Sequence, residues 1–172
     1  MSGNRLLSLK TFTEFVGGLA VVVTLVFVGF ELRQNTRAVE SAATQEVHAN
    51  FSSWYASLQS DPELLMITVK GMQDYSALEA AERAQFIAVF MVFSSNCQTA
   101  FYKWRDGLLD EELWSGWRQL SRNFFSTPGG KAFWSDRSYM FGSGFREFID
   151  TEVIPSKPNP KAKPWGAFSI DD

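Results

Sequence analysis

The most lopsided pattern in the chain lies near its start. Between Glu14 and Glu31 runs FVGGLAVVVTLVFVGF, sixteen uncharged residues from Phe15 to Phe30. A helix wound through this stretch has no polar face, unlike the amphipathic helices of a water-soluble core. At about 1.5 Å per residue it covers roughly 24 Å, somewhat less than the roughly 30 Å hydrocarbon layer of a bilayer. Phe12, Thr13 and Leu32 lengthen it with neutral or apolar side chains, and Lys10 and Arg33 have stems that can carry their charges to headgroups. Thr24, its one hydroxyl, can bond a carbonyl one turn back. A cleaved leader needs a shorter apolar region and a small-residue cleavage site, whereas Glu31-Leu32-Arg33-Gln34 follows here. The pattern therefore predicts a membrane-spanning helix over 14–32 behind a short N-terminal tail, 1–13.

Beyond Phe30 the hydrophobic positions become periodic. Val39, Ala43, Val47, Phe51, Trp54 and Leu58 recur at steps of three and four, and no Gly or Pro interrupts residues 31–60. One helix can thus continue out of the span. Asp61-Pro62-Glu63 reads as a helix start, with Asp as N-cap and Pro in the first turn, leading to about Met72. Ser76-Ala77-Leu78-Glu79 reads as a capping box before the longest helix of the domain, striped by Phe86, Phe90, Phe93, Cys97, Phe101 and Trp104. Asp106-Gly107 ends that helix, and Asp110-Glu111-Glu112 opens another. Its expected buried row is Leu113, Trp117, Leu120 and Phe124, widened by Trp114 and Phe125. Thr127-Pro128-Gly129-Gly130 is a break, followed by two shorter helices over about 131–139 and 144–154. From Pro155 onward four prolines alternate with Lys157, Lys161 and Lys163, which predicts an extended tail over 155–172.

No segment alternates with the period of a strand. The expected fold is all-α: an N-terminal transmembrane helix continuing into a small aromatic-rich bundle of about four to five helices over 33–154. Composition agrees. Of 172 residues, 45% are hydrophobic and 20% charged, and 16 Phe and 6 Trp supply bulk for a core. A net charge of -3 argues against nucleic acid as a partner.

Reactive chemistry has little to stand on. A single Cys and a single His exclude an intramolecular disulfide and a multi-histidine metal site. His48 and Ser52 stand one helical turn apart, yet a mid-helix Ser lacks the strained turn and oxyanion hole of a nucleophile site. Cys97 falls in an aromatic stripe, the setting of an inert packing residue. Gly129-Gly130-Lys131 lacks the strand and spacing of a phosphate loop, and Gly142-Ser143-Gly144 lacks the rest of a hydrolase elbow. No cofactor or metal is expected. Helical spacing makes most of these rings core, yet a bundle of this size need not bury so many, so Trp114, Trp117, Phe125, Trp134 and Phe141 are the candidate interaction residues, lining a hydrophobic groove or lying against lipid or a partner. The lysines of the tail are candidates for contact with anionic headgroups.

The succession of the apolar run into Glu31-Leu32-Arg33-Gln34-Asn35-Thr36-Arg37, the Asp61-Pro62-Glu63-Leu64 start, Gly107-Leu108-Leu109-Asp110-Glu111-Glu112-Leu113-Trp114, and Pro128-Gly129-Gly130 with Trp134 resembles a family of small bacterial single-pass membrane-anchored α-helical proteins with no assigned activity. The resemblance reaches to about Ile154. It implies a bacterial inner-membrane location and brings no catalytic residue or cofactor. Lys and Arg flank the span evenly, Arg5 and Lys10 before it and Arg33 and Arg37 after it. The two arginines lie nearer the apolar edge, which with the lone Cys97 favours a cytoplasmic C-terminal domain. The function expected is non-enzymatic: an accessory, scaffold or interaction subunit that meets the lipid bilayer and another membrane protein or itself. The alternative is a tethered helical domain that binds a lipid or apolar small molecule as a sensor.

Overall fold

The computed structural model describes residues 3–155, with backbone alone for residues 3–13 and 15. The tail expected from Pro155 falls, after that residue, outside the described part. The chain divides into two compact units, one up to Ala42 and one from Ala43 onward. The first helix, α1, spans Gly3–Ser60. Residues 4–13 hold neither Gly nor Pro, so the segment expected as a tail is helical from Gly3.

In the first unit the helix stands by itself. Every described side chain from Val16 to Ala42 is exposed. This is the one helix among the described residues long and apolar enough to cross a membrane, and none of its apolar window is buried. Thr24 Oγ1 donates to the Ala20 carbonyl at 2.8 Å and Thr36 Oγ1 to that of Leu32 at 2.9 Å, so both hydroxyls are satisfied inside the helix. Val39 is exposed as well, so along the amphipathic stripe burial begins at Ala43.

The second unit contains the rest of α1, then α2 (Pro62–Gln73), α3 (Ala80–Arg105), α4 (Glu111–Phe125), α5 (Pro128–Arg137) and α6 (Ser143–Phe148). A 3-10 turn at Tyr75–Ala77 precedes α3, another at Ser138–Met140 precedes α6, and a wider π turn at Ile149–Val153 follows it. No strand occurs among the described residues, and the fold is all-α as expected.

Short-range polar contacts set where these helices begin. The Leu64 N–H donates to the Asp61 carboxylate at 3.0 Å and the Leu113 N–H to that of Asp110 at 2.8 Å, each cap satisfying an orphan donor of the first turn. Gly107, at φ 76°, takes the left-handed conformation that closes α3. Two expected starts move. Asp74 accepts from both the amide and the hydroxyl of Ser76, which holds residues 75–77 in the 3-10 turn. The cap passes to Glu79, whose N–H donates to Glu82 Oε2 at 2.8 Å, and α3 starts three residues later than the Ser76 pattern suggests. At the second, Thr127 caps Gly130 through its hydroxyl at 3.0 Å, so Pro128, Gly129 and Gly130 form the first turn of α5 instead of a loop before it.

Those glycines are there for contact. A Cβ on Gly129 would lie 2.0 Å from the Gly71 carbonyl oxygen, and one on Gly71 would lie 2.4 Å from the Phe86 ring. α2 and α5 therefore meet backbone to backbone. α3 runs through the centre, with Phe86, Phe90, Phe93 and Cys97 wholly buried. Rings pack on rings around it: Phe93 stacks on Phe124 at 4.3 Å, Phe90 meets Phe133 at 4.9 Å and Trp54 meets Phe93 at 5.1 Å. α1 is tied to α3 by Trp54 Nε1 donating to the Val89 carbonyl at 3.1 Å, and by the Lys103–Glu46 ion pair at 2.9 Å.

Candidate functional site

All five candidate interaction aromatics lie inside the second unit. Trp114 is 1% exposed, Phe125 0%, Trp134 3%, Phe141 6% and Trp117 8%. All five are buried within the chain's own fold, and the reason is visible in their neighbours. Trp114 stacks on Trp104 at 5.0 Å and lies 5.2 Å from Phe148. Trp134 stacks on Phe141 at 5.3 Å and faces Phe125 edge-on at the same distance. The surplus of rings is consumed by other rings. Where an indole N–H needs an acceptor the fold supplies one: Trp134 Nε1 donates to Asp150 and Trp104 Nε1 to Glu111, each at 2.7 Å. Glu111 also accepts from Arg118 at 2.6 Å, and that guanidinium lies over the faces of Trp104 and Trp114.

The outward features come from a rotation of α4. Its buried residues are Trp114, Trp117, Ser121, Phe124 and Phe125, so Leu113 and Leu120, expected in the core, are only half-buried. Ser121 fits the interior because its hydroxyl donates to the Trp117 carbonyl at 2.9 Å. The turn of the helix leaves Leu113, Gly116 and Leu120 along one edge. Together with Glu112 and Trp117 they line an open groove of about 430 Å³, whose other wall is His48 and Phe51 of α1. Phe51 meets Trp117 edge-on at 5.3 Å and forms the aromatic floor. A Cβ on Gly116 would meet nothing within 4 Å. Gly in a helix interior costs about 1 kcal/mol relative to Ala, and here no neighbour within the described chain requires it.

The other sequence candidates behave as packing or surface residues. His48 is exposed on the groove rim, and among the described residues no hydrogen bond joins it to Ser52 or Ser53. Burial pushes the Cys97 thiol up to about 12, against a smaller opposing pull from the Ser121 hydroxyl, which leaves it protonated and unreactive. Gly142 is held by its N–H donating to Gln98 Oε1 at 2.8 Å, beside the Tyr102 hydroxyl, with no nucleophile geometry. Among the described residues no three His, Cys, Asp or Glu side chains come together as a metal site. A second hollow, about 540 Å³, runs along α1 from Val28 to Ala38, but a single helix supplies its lining and nothing closes over it. Comparison with protein-family models, with curated proteins and with solved structures returned no match.

A groove is one of the uses the sequence offers for its surplus rings, and its place between α1 and α4 is what the sequence does not show. Its walls come from residues some sixty-five positions apart, and the one local signal was Gly116, set in a helix with no turn to justify it.

Proposed function

We propose that this chain is a membrane-anchored, non-enzymatic interaction protein: a single span over residues 14–32 carrying a helical body that serves as an accessory or scaffold subunit of a membrane assembly. The observation that carries this reading is the unburied apolar run. Its eleven Leu, Val and Phe side chains from Phe15 to Phe30 favour a bilayer interior by roughly 0.3–0.6 kcal/mol each, several kcal/mol in sum. Thr24 adds no unsatisfied hydroxyl, since its proton is already committed to the Ala20 carbonyl. The family resemblance supports a bacterial inner membrane. Arg33 and Arg37, closest to the apolar edge, support a body on the cytoplasmic face.

Alkaline carbonate extraction of native membranes followed by mild crosslinking tests the proposal. The chain is expected to stay with the vesicles and to co-purify with a crosslinked membrane protein or a second copy. Release into the wash overturns the anchor, and recovery of the chain alone at every detergent strength overturns the accessory role. The alternative, a tethered binder of a lipid or small apolar molecule, is favoured by the apolar groove and predicts a bound mass in native mass spectrometry of the purified protein.

A further inference from the structure

Residues 31–42, between the apolar run and the body, are mostly polar, and they form helix that is exposed on every side. Among the described residues none of Glu31, Arg33, Arg37 and Glu40 makes an ion pair. Arg33 and Arg37 set like charges one turn apart, which works against the helix. A stretch of about three turns in water draws its stability chiefly from an apolar face packed on something else.

Such a face exists here, at heptad spacing. Leu25, Val28, Leu32, Asn35, Val39 and Ala42 follow one another at alternating steps of three and four, and all are exposed. These are the positions that meet along the axis of a two-stranded coiled coil. Arg33, Arg37 and Glu40 fall on the outer side of that pattern. Glu31 falls on its flank, where an in-register parallel partner presents the hydroxyl of Thr36, so like charges do not meet. The open hollow of about 540 Å³ lies on the same face, with Val28, Glu31, Leu32 and Asn35 among its lining residues. Those four hold the heptad positions that make the socket for a leucine knob from a facing helix. The next position in the register is Glu46, whose carboxylate is engaged by Lys103 at 2.9 Å, so the face ends where the second unit begins.

A second copy matches this face residue by residue. Leu32 meets Leu32, Val39 meets Val39, and two Asn35 amides, each donor and acceptor, can bond to one another. One polar pair in an otherwise apolar axis fixes the register. The spacing continues back through Val21 to Gly18, giving roughly 37 Å of shared length. At about half a helix circumference, that strip covers on the order of 600 Å² per copy, the lower bound of a standard specific interface.

We infer that α1 pairs with α1 of a second copy as a parallel, in-register coiled coil over residues 18–42, the Leu32 of each chain seated in the other's hollow between Val28 and Asn35. The inference rests on the membrane anchor proposed above, which holds two copies parallel.

Single cysteines from Leu32→Cys to Ala42→Cys, in the full chain in native membranes oxidised with copper phenanthroline, test it. Cys97 is buried and adds no background. Disulfide-linked dimer is expected to peak at Leu32→Cys, Asn35→Cys, Val39→Cys and Ala42→Cys, and to be about fivefold or more lower at Arg33→Cys, Arg37→Cys and Glu40→Cys. A flat profile, maxima on the outer positions, no dimer, or linkage only to another protein overturns it. With Ala42→Cys as reporter, Val39→Glu sets like charges across the pair and is expected to lower the yield about fivefold or more, whereas Arg37→Glu keeps it. Both substitutions lie outside the second unit, so the near-UV circular dichroism of the body is expected to match the parent, and an undiminished yield in Val39→Glu overturns the pair. Carbonate extraction of the same membranes separates the two readings. A retained chain without the heptad profile loses the pair and keeps the anchor; a released chain with the profile loses the anchor and keeps the pair.

Discussion

Two stretches of one helix, residues 16–42 and 43–60, put similar side chains to opposite uses. In the first, from Val16 to Phe30, Val, Leu and Phe occupy every side of the helix, and Leu25 and Val26 are 66% and 68% exposed. In the second, Ala43, Val47, Trp54 and Leu58 recur at helical spacing, and all four are buried. The arrangement of the apolar residues separates them as much as their number does. A stripe can be hidden by neighbours that approach from one side, whereas a cylinder that is apolar all round needs apolar surroundings on every side, from other protein or from lipid. The body from Ala43 onward supplies its own neighbours; the apolar run up to Phe30 has none among the described residues.

The sharpest break of this contrast is a pair of truncations. Phe93→Ala removes a ring that is 0% exposed and stacked on Phe124, and is expected to cost about 3–5 kcal/mol of stability. Phe27→Ala, at a residue 59% exposed, is expected to change the unfolding of the body by less than about 0.5 kcal/mol. Urea denaturation followed by near-UV circular dichroism compares the two, and equal losses would erase the distinction. Cys97 gives a second probe of closure. With its thiol at about 12, alkylation at neutral pH is expected to run about a thousandfold slower than for an ordinary cysteine, and to recover in urea. Rapid stoichiometric labelling of the native protein would show an open core.

Next in size is a charge in the apolar run. Leu25→Arg is expected to weaken insertion by about 2.5–3.5 kcal/mol, seen as a fraction of chain released by carbonate, with the unfolding midpoint of the body unchanged. The smallest effect concerns Glu82, whose carboxyl is held below the ordinary 4.5 first by the hydrogen bond from Lys70 at 2.7 Å and then by the Glu79 N–H. A lowered folded value means its stabilisation is complete above 4.5 and fades as pH falls through the depressed value. Glu82→Gln is therefore expected to shift the urea midpoint slightly downward at neutral pH, and the difference from the parent is expected to vanish in acid.

Much of the fold was legible because local rules decided it. Asp61 and Asp110 cap where their sequence says, Gly107 closes α3 in the left-handed region, and the Phe86–Phe101 stripe is buried as spaced. Errors arose where two local rules competed. Ser76 matched a capping box, but Asp74, two residues earlier, claimed it first. On α4, Leu113 and Leu120 looked more apolar than Ser121, yet the helix turned Ser121 inward because its hydroxyl could bond its own backbone. Leu113 and Leu120 are thereby left half-buried along the groove, and spacing alone could not show it. Nor could composition show whether Trp114 or Trp134 faces outward: their burial depends on Phe148 and Phe141, partners brought near only by the fold.

The seam where the Gly71 carbonyl meets Gly129 has a consequence for how the body comes apart. With no side chain between them, α2 and α5 pack directly on each other, so loosening one removes the packing of the other and the two are expected to open together. The amides of Lys70–Gln73 and of Lys131–Trp134, distant in the chain, are expected to show a common opening free energy in deuterium exchange, as a single plate that detaches in one event.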